Sequence, residues 1–432
     1  MSYRHLKSLL LACGSAGVLL AAAADANAGG FALREQSAFG QGSSFAGVAA
    51  GGSLSSMFWN PATMTQTPGL QSEFVGSGIF PSATHTVGTP STLAAFGGAG
   101  DSADNAFVPA GYSSWQINPN MWVGLSFNAP TGLSVSFPDR WAGRGYAENT
   151  SLKTYNAAPT FAYRINDWIS LGIGLQIQYA KADLTTGIGA TPGLTANLAG
   201  NGYAYGFTAG VTLTPTPSTS IGIGYRSALN QPIDGTLTTS GTVPASTTGA
   251  VSTTIDLPDM LTIGLRQRLS PQWTLLGTVE WTNWSRIGTS NVNQSSGAAA
   301  LLGGSAVKLP FNYSDGWFYS LGAEYQWNDA LTLRTGLGFE RSPITDAVRT
   351  PRLPDNDRTW LSAGLSYQMT SQLALDFAYS HLFVKSTPIS ISAASGNPWF
   401  NGVTYNGSVS SHVDIASVAL RYRWDAASPK RM

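Results

Sequence analysis

The sequence predicts an all-β fold: a transmembrane antiparallel β-barrel of about fourteen strands with an N-terminal hatch, or plug, in its lumen. Three observations predict it. Long runs alternate between apolar and polar side chains with period two, as in strands whose two faces meet different surroundings. Charged residues are only 11% of the chain, against about 25% in an ordinary soluble domain. No stretch after residue 28 resembles a membrane helix, which needs about 20 apolar residues. Hydrocarbon forces every backbone polar group to pair internally, so a membrane chain without such helices is left with a closed barrel.

The chain begins with a secretion signal over residues 1–28. Arg4 and Lys7 make a basic start, Leu9 to Ala24 is apolar, and Ala26-Asn27-Ala28 supplies small residues at the cleavage site. The expected mature start is Gly29. A buried helix is a weaker reading. Lipoprotein processing at Cys13 is weaker still, because it leaves too short an apolar core. Cys13 is the single cysteine of the sequence, so once the signal leaves no disulfide or thiol chemistry remains.

The barrel is expected over residues 70–424. In Trp317 to Trp327 one face reads Trp317, Tyr319, Leu321, Ala323, Tyr325 and Trp327, and the other reads Phe318, Ser320, Gly322, Glu324 and Gln326. Ile169 to Tyr179 repeats the pattern, with Ser170, Gly172, Gly174, Gln176 and Gln178 on the polar side. Such segments fall near 70–80, 106–117, 120–130, 151–165, 168–182, 203–214, 218–228, 254–269, 272–284, 314–327, 330–342, 357–369, 372–386 and 411–424. Each can cross a bilayer, which takes a tilted strand about 9–11 residues. Short turns such as Asn118-Pro119, Asn166-Asp167 and Asn328-Asp329 alternate with long loops over 81–105, 131–150, 183–202, 229–253, 285–313, 343–356 and 387–410. Short periplasmic turns and long outer loops are the layout of an outer-membrane barrel. A secreted sandwich would have shorter strands and no such alternation. The tail 425–432 is polar and expected to fray.

Residues 29–69 do not alternate. They are rich in Gly, Ser and Ala, carry Phe31, Phe39, Phe45, Phe58 and Trp59, and contain only two charges, Arg34 and Glu35. A disordered leader is usually polar, charged and poor in aromatics. A barrel of this size encloses a lumen too wide for its own side chains, so a hatch folded inside is the preferred reading. Asn60 is suited to cap or bridge backbone groups there while Pro61 fixes the chain, although an ordinary Asn-Pro turn uses the same residues.

Several stretches are similar to a known family. Gly30-Phe31-Ala32-Leu33, Gly40-Gln41-Gly42 and Asn60-Pro61-Ala62 resemble the hatch of the FadL-type transporters of long-chain fatty acids and aromatic hydrocarbons. Asn128-Ala129-Pro130-Thr131-Gly132-Leu133 resembles their kinked third strand. Leu257-Pro258-Asp259-Met260, Trp281-Thr282-Asn283-Trp284-Ser285, Arg334-Thr335-Gly336 and the run Leu353 to Gly364 match further family stretches in order and spacing. The resemblance implies a hatch-filled barrel without an open water channel. It also implies a ligand caught among the outer loops, held in a pocket near the hatch, and released sideways through the wall. The expected partners are a hydrophobic small molecule and the lipid and lipopolysaccharide of the outer membrane. A monomer is expected, with no nucleic acid.

On this resemblance Pro130 and Gly132 mark a lateral opening. Pro130 cannot donate a ladder hydrogen bond and Gly132 tolerates bends. From the residues alone they can equally well end the strand at its loop. Phe31 becomes a candidate for the ligand pocket, with packing inside the plug as its other use, and Asn60, Pro61 and Ala62 become hatch-forming residues. One departure stands out. Fatty-acid members hold the carboxylate with cations near the outer ends of the fifth and tenth strands, where this chain has Thr186 and Ser314. Lys181 is the nearby substitute, and a neutral hydrocarbon is the alternative cargo.

A general diffusion porin is the main rival. Its water-filled lumen needs charged constriction residues, and Arg226, Arg266, Arg268, Glu280, Glu324, Arg334, Glu340, Asp376, Arg421 and Arg423 all fall on inward faces. Both signs are present, which favours mutual pairing. An enzyme is not expected. His85, His381 and His412 are the histidines left after the signal, and Ser380-His381 is adjacent in sequence without evident geometry. No nucleophile elbow, phosphate loop, metal-ligand cluster or cofactor motif stands out.

Overall fold

The computed structural model describes residues 30–241, 248–294 and 307–425. The expected signal, its cleavage site and Cys13 lie outside the described residues, as does the tail beyond Asp425.

Fourteen strands close into one antiparallel barrel. They are β1 (Leu70–Val87), β2 (Ala106–Asn118), β3 in two pieces (Met121–Asn128 and Gly132–Ser136), β4 (Asn149–Arg164), β5 (Ile169–Gly187) and β6 (Thr195–Thr216). There follow β7 (Thr219–Arg226 and Leu229–Ser240), β8 (Thr248–Leu257 and Met260–Arg268), β9 (Trp273–Thr282) and β10 (Gly316–Gln326). The last four are β11 (Leu331–Arg341), β12 (Arg358–Gln368), β13 (Leu373–Val384 and Thr387–Ile391) and β14 (Tyr405–Arg423). Each strand pairs with its sequence neighbours, and β14 returns to β1 from Gln71↔Arg423 to Val87↔Gly407. The first and last strands thus have no free edge between them. Asp425 is part of the closure, since its carboxylate accepts from the Leu70 N–H at 2.6 Å.

The alternation is physical. In β5 the odd residues Leu171, Ile173 and Leu175 are exposed on the outer wall, whereas Ser170, Gln176 and Gln178 are buried toward the lumen. No helix among the described residues is long and apolar enough to cross a membrane.

The strands run further outward than the alternation suggests. The expected loop over 183–202 shrinks because β5 continues to Gly187 and β6 begins at Thr195. Most of 229–253 is likewise strand, in the outer pieces of β7 and β8, and β1 extends to Val87. Beyond the bilayer both faces meet polar surroundings, so Thr- and Ser-rich strands there carry no oil-facing stripe. Inside 285–313, Thr289–Gln294 pairs with Val307–Pro310 as a further ladder.

The residues before β1 fold into the lumen and are almost entirely buried. They form a short helix, Ala38–Gln41, capped by the Ser37 hydroxyl, which accepts from Gly40 N–H at 2.9 Å. Three 3-10 turns follow, Val48–Ala50, Leu54–Phe58 and Pro61–Gln66. Phe45, Trp59 and Met64 pack against inward residues such as Tyr112, Trp122, Phe318 and Trp360. The hatch lies close against the wall at Gly222 and Gly224, where an added Cβ would run into the carbonyls of Ala49 and Trp59. These two glycines are contact points for the plug, as small lumen-facing residues.

That fit gives a prediction. Gly222→Val combined with Gly224→Val leaves the outer face and the ladder unchanged but displaces the hatch. The purified variant should unfold at a lower temperature than the parent and show larger, noisier conductance in planar bilayers; parental values for both would refute the close fit.

Candidate functional site

The site begins with the break in β3. The ladder between β2 and β3 runs from Asn118↔Met121 to Gly111↔Phe127 and stops. The outer part of β2, Ala106 to Ala110, is paired on its β1 side. The outer piece of β3 is paired with β4. Between them, Ala129, Pro130 and Thr131 leave the ladder, because proline has no N–H to give and the chain must bend around it. The strand then resumes at Gly132, so these residues interrupt it instead of ending it.

The start of the hatch fills the space inside this break. Leu33 N–H donates to the Pro130 carbonyl at 2.8 Å and Gly132 N–H donates to the Phe31 carbonyl at 2.9 Å. Ala32 thereby forms a bridge with Thr131, and the Gln36 amide donates to the Ala129 carbonyl at 2.9 Å. A short piece of plug thus supplies hydrogen bonds that a neighbouring strand would otherwise provide.

Behind it lies a cavity of about 110 Å³. Leu33, Arg34, Phe58 and Trp59 of the hatch line it, with Pro130 and Thr131 of the break and Met260, Trp284, Phe318 and Trp360 of β8 to β12 and their loops. On the turn side of the hatch, Thr65 and Gln66 line a separate, polar opening of about 740 Å³ with Arg164, Arg266 and Arg268. The hatch therefore stands between the two.

Charge inside the barrel is organised as pairs. Arg34 sits 2.8 Å from Glu280 and 3.6 Å from Glu340. Glu324 accepts from Arg266 at 2.6 Å and Arg334 at 2.8 Å, and Arg421 meets Asp376 at 2.7 Å. Phe39 of the hatch lies among three of these cations, nearest to Arg334 at 3.7 Å from the ring centroid. Arg34 thereby ties the hatch to the wall, and the other pairs join wall strands to one another inside the lumen. Arg226 differs. Its guanidinium donates to the Phe58 carbonyl at 3.1 Å and to Gln176, lies 4.2 Å from the Phe58 ring centroid, and has no ion pair among the described residues.

The expected residues divide. Asn60 caps the turn that Pro61 opens, its oxygen accepting from Ala62 N–H at 3.0 Å. Its amide donates to the Ala49 carbonyl at 2.7 Å and the Val211 carbonyl at 2.9 Å, which ties plug to wall. Phe31 is buried beside the cavity, edge-on to Trp284 at 4.8 Å, and its neighbours Ala32 and Leu33 line the cavity in its place. Lys181 needs correction. It lies on the outward face of β5 with Ile177 and Tyr179, so it cannot meet a ligand in the cavity. Ser314 is exposed. Near Thr186 a cation does arrive, from another element: Arg352 crosses the barrel mouth and donates to the Thr185 carbonyl at 3.2 Å and the Tyr146 carbonyl at 2.9 Å. Burial without a carboxylate pulls it down to about 10. Ser380 and His381 point to opposite faces, Ser380 to Ser362 at 2.7 Å and His381 to Asp414 at 2.7 Å, so they form no nucleophile–base pair.

Trp284, Trp360 and Met260 are cavity residues that the sequence did not single out, and Arg226 was expected only as an inward-facing charge. Phe318 carried a signal, as an aromatic on the otherwise polar face of its strand. The others belong to the cavity because strands distant in sequence converge on it.

The family model described as outer membrane protein transport protein (OMPP1/FadL/TodX) matches residues 19–424. The long-chain fatty acid transport protein of Escherichia coli O6:H1 is 28% identical, covering 70% of this chain and 77% of that one. Outer membrane protein P1 of Haemophilus influenzae is 28% identical, covering 85% and 88%. A Pseudomonas aeruginosa FadL homologue shares the fold with a TM-score of 0.82 at 21% identity, covering 92% and 100%. The Pseudomonas putida toluene transporter TodX does so with a TM-score of 0.68 at 17% identity, covering 87% and 95%.

Asn60→Ala should destabilise the protein by about 2 kcal/mol, because it strands buried carbonyls and removes a cap. Urea unfolding in detergent micelles followed by tryptophan fluorescence measures this, and an unshifted midpoint would deny Asn60 its anchoring role.

Proposed function

The chain belongs to the outer membrane protein transport family (OMPP1/FadL/TodX), and from that membership we propose that it takes up long-chain fatty acids or related lipids and hydrocarbons and releases them sideways through the break in β3. In broader terms it is an outer-membrane transporter of hydrophobic compounds and not an enzyme. The observation that carries the lateral route is the three-residue break in the wall, stopped from within by Phe31 to Leu33. A cargo that displaces this stopper passes from the cavity into the bilayer without crossing the polar turn side. Apolar transfer supplies the driving force, about 25 cal/mol for each Å² taken from water. A general diffusion porin fits poorly, because the hatch and its ion pairs occupy the lumen.

The cavity also bears on cargo. Engineered apolar cavities of about 150 Å³ take up benzene, so a space of about 110 Å³ suits a single ring or the end of a chain before the hatch moves. Arg226 favours an anionic headgroup, since it is a lumen cation without an ion pair at the cavity wall. An apolar pocket otherwise repels a carboxylate. A fatty acid with its headgroup at Arg226 is therefore the preferred cargo, and a neutral aromatic is the second.

Two measurements test this reading. Pro130→Val with Gly132→Val, which straightens β3, should abolish uptake in cells while the barrel remains folded; normal uptake removes the lateral exit. Arg226→Met should weaken oleate binding to purified protein about tenfold and leave toluene binding unchanged. Equal loss for both ligands, or for neither, would count against a headgroup at Arg226.

A further inference from the structure

We propose that Asn128 and Asn156, side by side where the cavity meets the break in β3, take the headgroup of an uncharged amphiphile: an alcohol, or a fatty acid in its undissociated form. This site rests on the reading that cargo leaves through the break. Both residues are on the inward face, and they stand directly opposite each other on β3 and β4. That register puts their Cβ atoms about 4.5–5.5 Å apart. Asn128 is the last residue of the inner piece of β3, just before the chain leaves the ladder.

Asn156 is 1% exposed, and neither its Nδ2 nor its Oδ1 has a hydrogen-bond partner. Asn128 is half satisfied. Its Nδ2 donates to the Tyr112 hydroxyl at 2.8 Å, and that hydroxyl donates onward to the Gln36 carbonyl at 2.7 Å. This order fixes the amide and leaves the Asn128 Oδ1 without a donor. On the other side of Asn156, Gln178 gives its amide to Gln231 at 3.2 Å. Asparagine is disfavoured within strands, and buried polar groups are costly unless paired. Neither strand propensity nor a local bond accounts for Asn156.

Its place gives it a use. Thr154, two residues along the same face, donates from its hydroxyl to the Thr131 carbonyl of the break at 2.6 Å. Thr131 and Gln178 both line the cavity, so Asn156 lies between them, where a headgroup moving from cavity to break must pass. Two amide oxygens and one NH2 group await it there. A carboxylate only accepts hydrogen bonds, so it suits Arg226 and finds no donor for these oxygens to accept from. An alcohol or an undissociated acid both donates and accepts, which answers the pair. Charge is expensive to carry into hydrocarbon, so the undissociated acid is also the form able to continue into the bilayer. Toluene can use neither amide.

Benzyl alcohol and toluene, which differ by one hydroxyl, test the assignment on purified protein held in amphipol. Asn156→Leu, of similar size and shape, should weaken benzyl alcohol binding about tenfold and leave toluene binding unchanged. Because Asn156 makes no hydrogen bond of its own, the empty leucine variant should also melt at a higher temperature than the parent; an amide that serves only the fold would give the opposite shift. Heat-modifiable migration in gels confirms folding, and should the leucine variant not fold, Asn156→Ala is read for ligand discrimination in its place. Equal weakening of both ligands, weakening of neither, or a lower melting temperature of the leucine variant would each overturn the proposal. These readouts are binding and stability, so they are separate from the uptake by the straightened β3 variant that decides the lateral route.

Discussion

Backbone pairing in the absence of water governs this molecule. Within hydrocarbon an unpaired N–H or C=O costs several kcal/mol, and the closed ladder from β1 to β14 meets that demand around the wall. The break at Ala129, Pro130 and Thr131 is where the ladder between neighbours is set aside. The hatch makes the break tolerable, because Phe31, Leu33 and Gln36 take up the groups that the proline and its bend release. Plug and wall are therefore parts of one hydrogen-bonding system.

The same interdependence explains the lumen. Fourteen strands enclose more space than their own inward side chains fill. The hatch fills it with Phe45, Trp59 and Met64, and needs bare wall wherever its backbone comes close, as at Gly222 and Gly224. Charge follows the same logic. Burying an unpaired ion is expensive, so Arg34, Glu280 and Glu340 form one group and Arg266, Glu324 and Arg334 another. Arg226, like Arg352 at the mouth, departs from that pattern: a ring face and a carbonyl stand beside it instead of a carboxylate.

The sequence made the barrel legible because the bilayer writes a two-letter pattern into every strand that crosses it. Trp317 to Trp327 and Ile169 to Tyr179 alternate because oil lies on one side and the polar lumen on the other. Where the oil ends the pattern ends, which is why the outer pieces of β7 and β8 read as loop. Asn60-Pro61 was legible as a capped turn since capping is local. Its bonds to Ala49 and Val211 were not, because those partners meet only after closure. Lys181 misled for a related reason. Proximity in sequence to Thr186 placed it near the expected headgroup, whereas its odd position in β5 turns it outward. The cation that does reach Thr185, Arg352, comes from the β11–β12 loop across the mouth.

On the proposed route, the cavity and the wall share one moving part. Leu33 lines the cavity with its side chain and holds Pro130 with its backbone. A ligand that enters must compete with Ala32 and Leu33 for space, and their retreat would free the Pro130 carbonyl and the Gly132 N–H. Left unpaired beside hydrocarbon, those groups would cost several kcal/mol. Burial of an aromatic ring or of several methylenes gains about 3–4 kcal/mol at 25 cal/mol per Å². The ligand's own burial therefore offsets part of the cost of lifting the stopper, and new partners for the freed backbone groups must supply the rest. An empty cavity leaves the stopper in place and the wall closed, so the barrel can offer a passage to oil-soluble cargo without becoming a leak for water and ions.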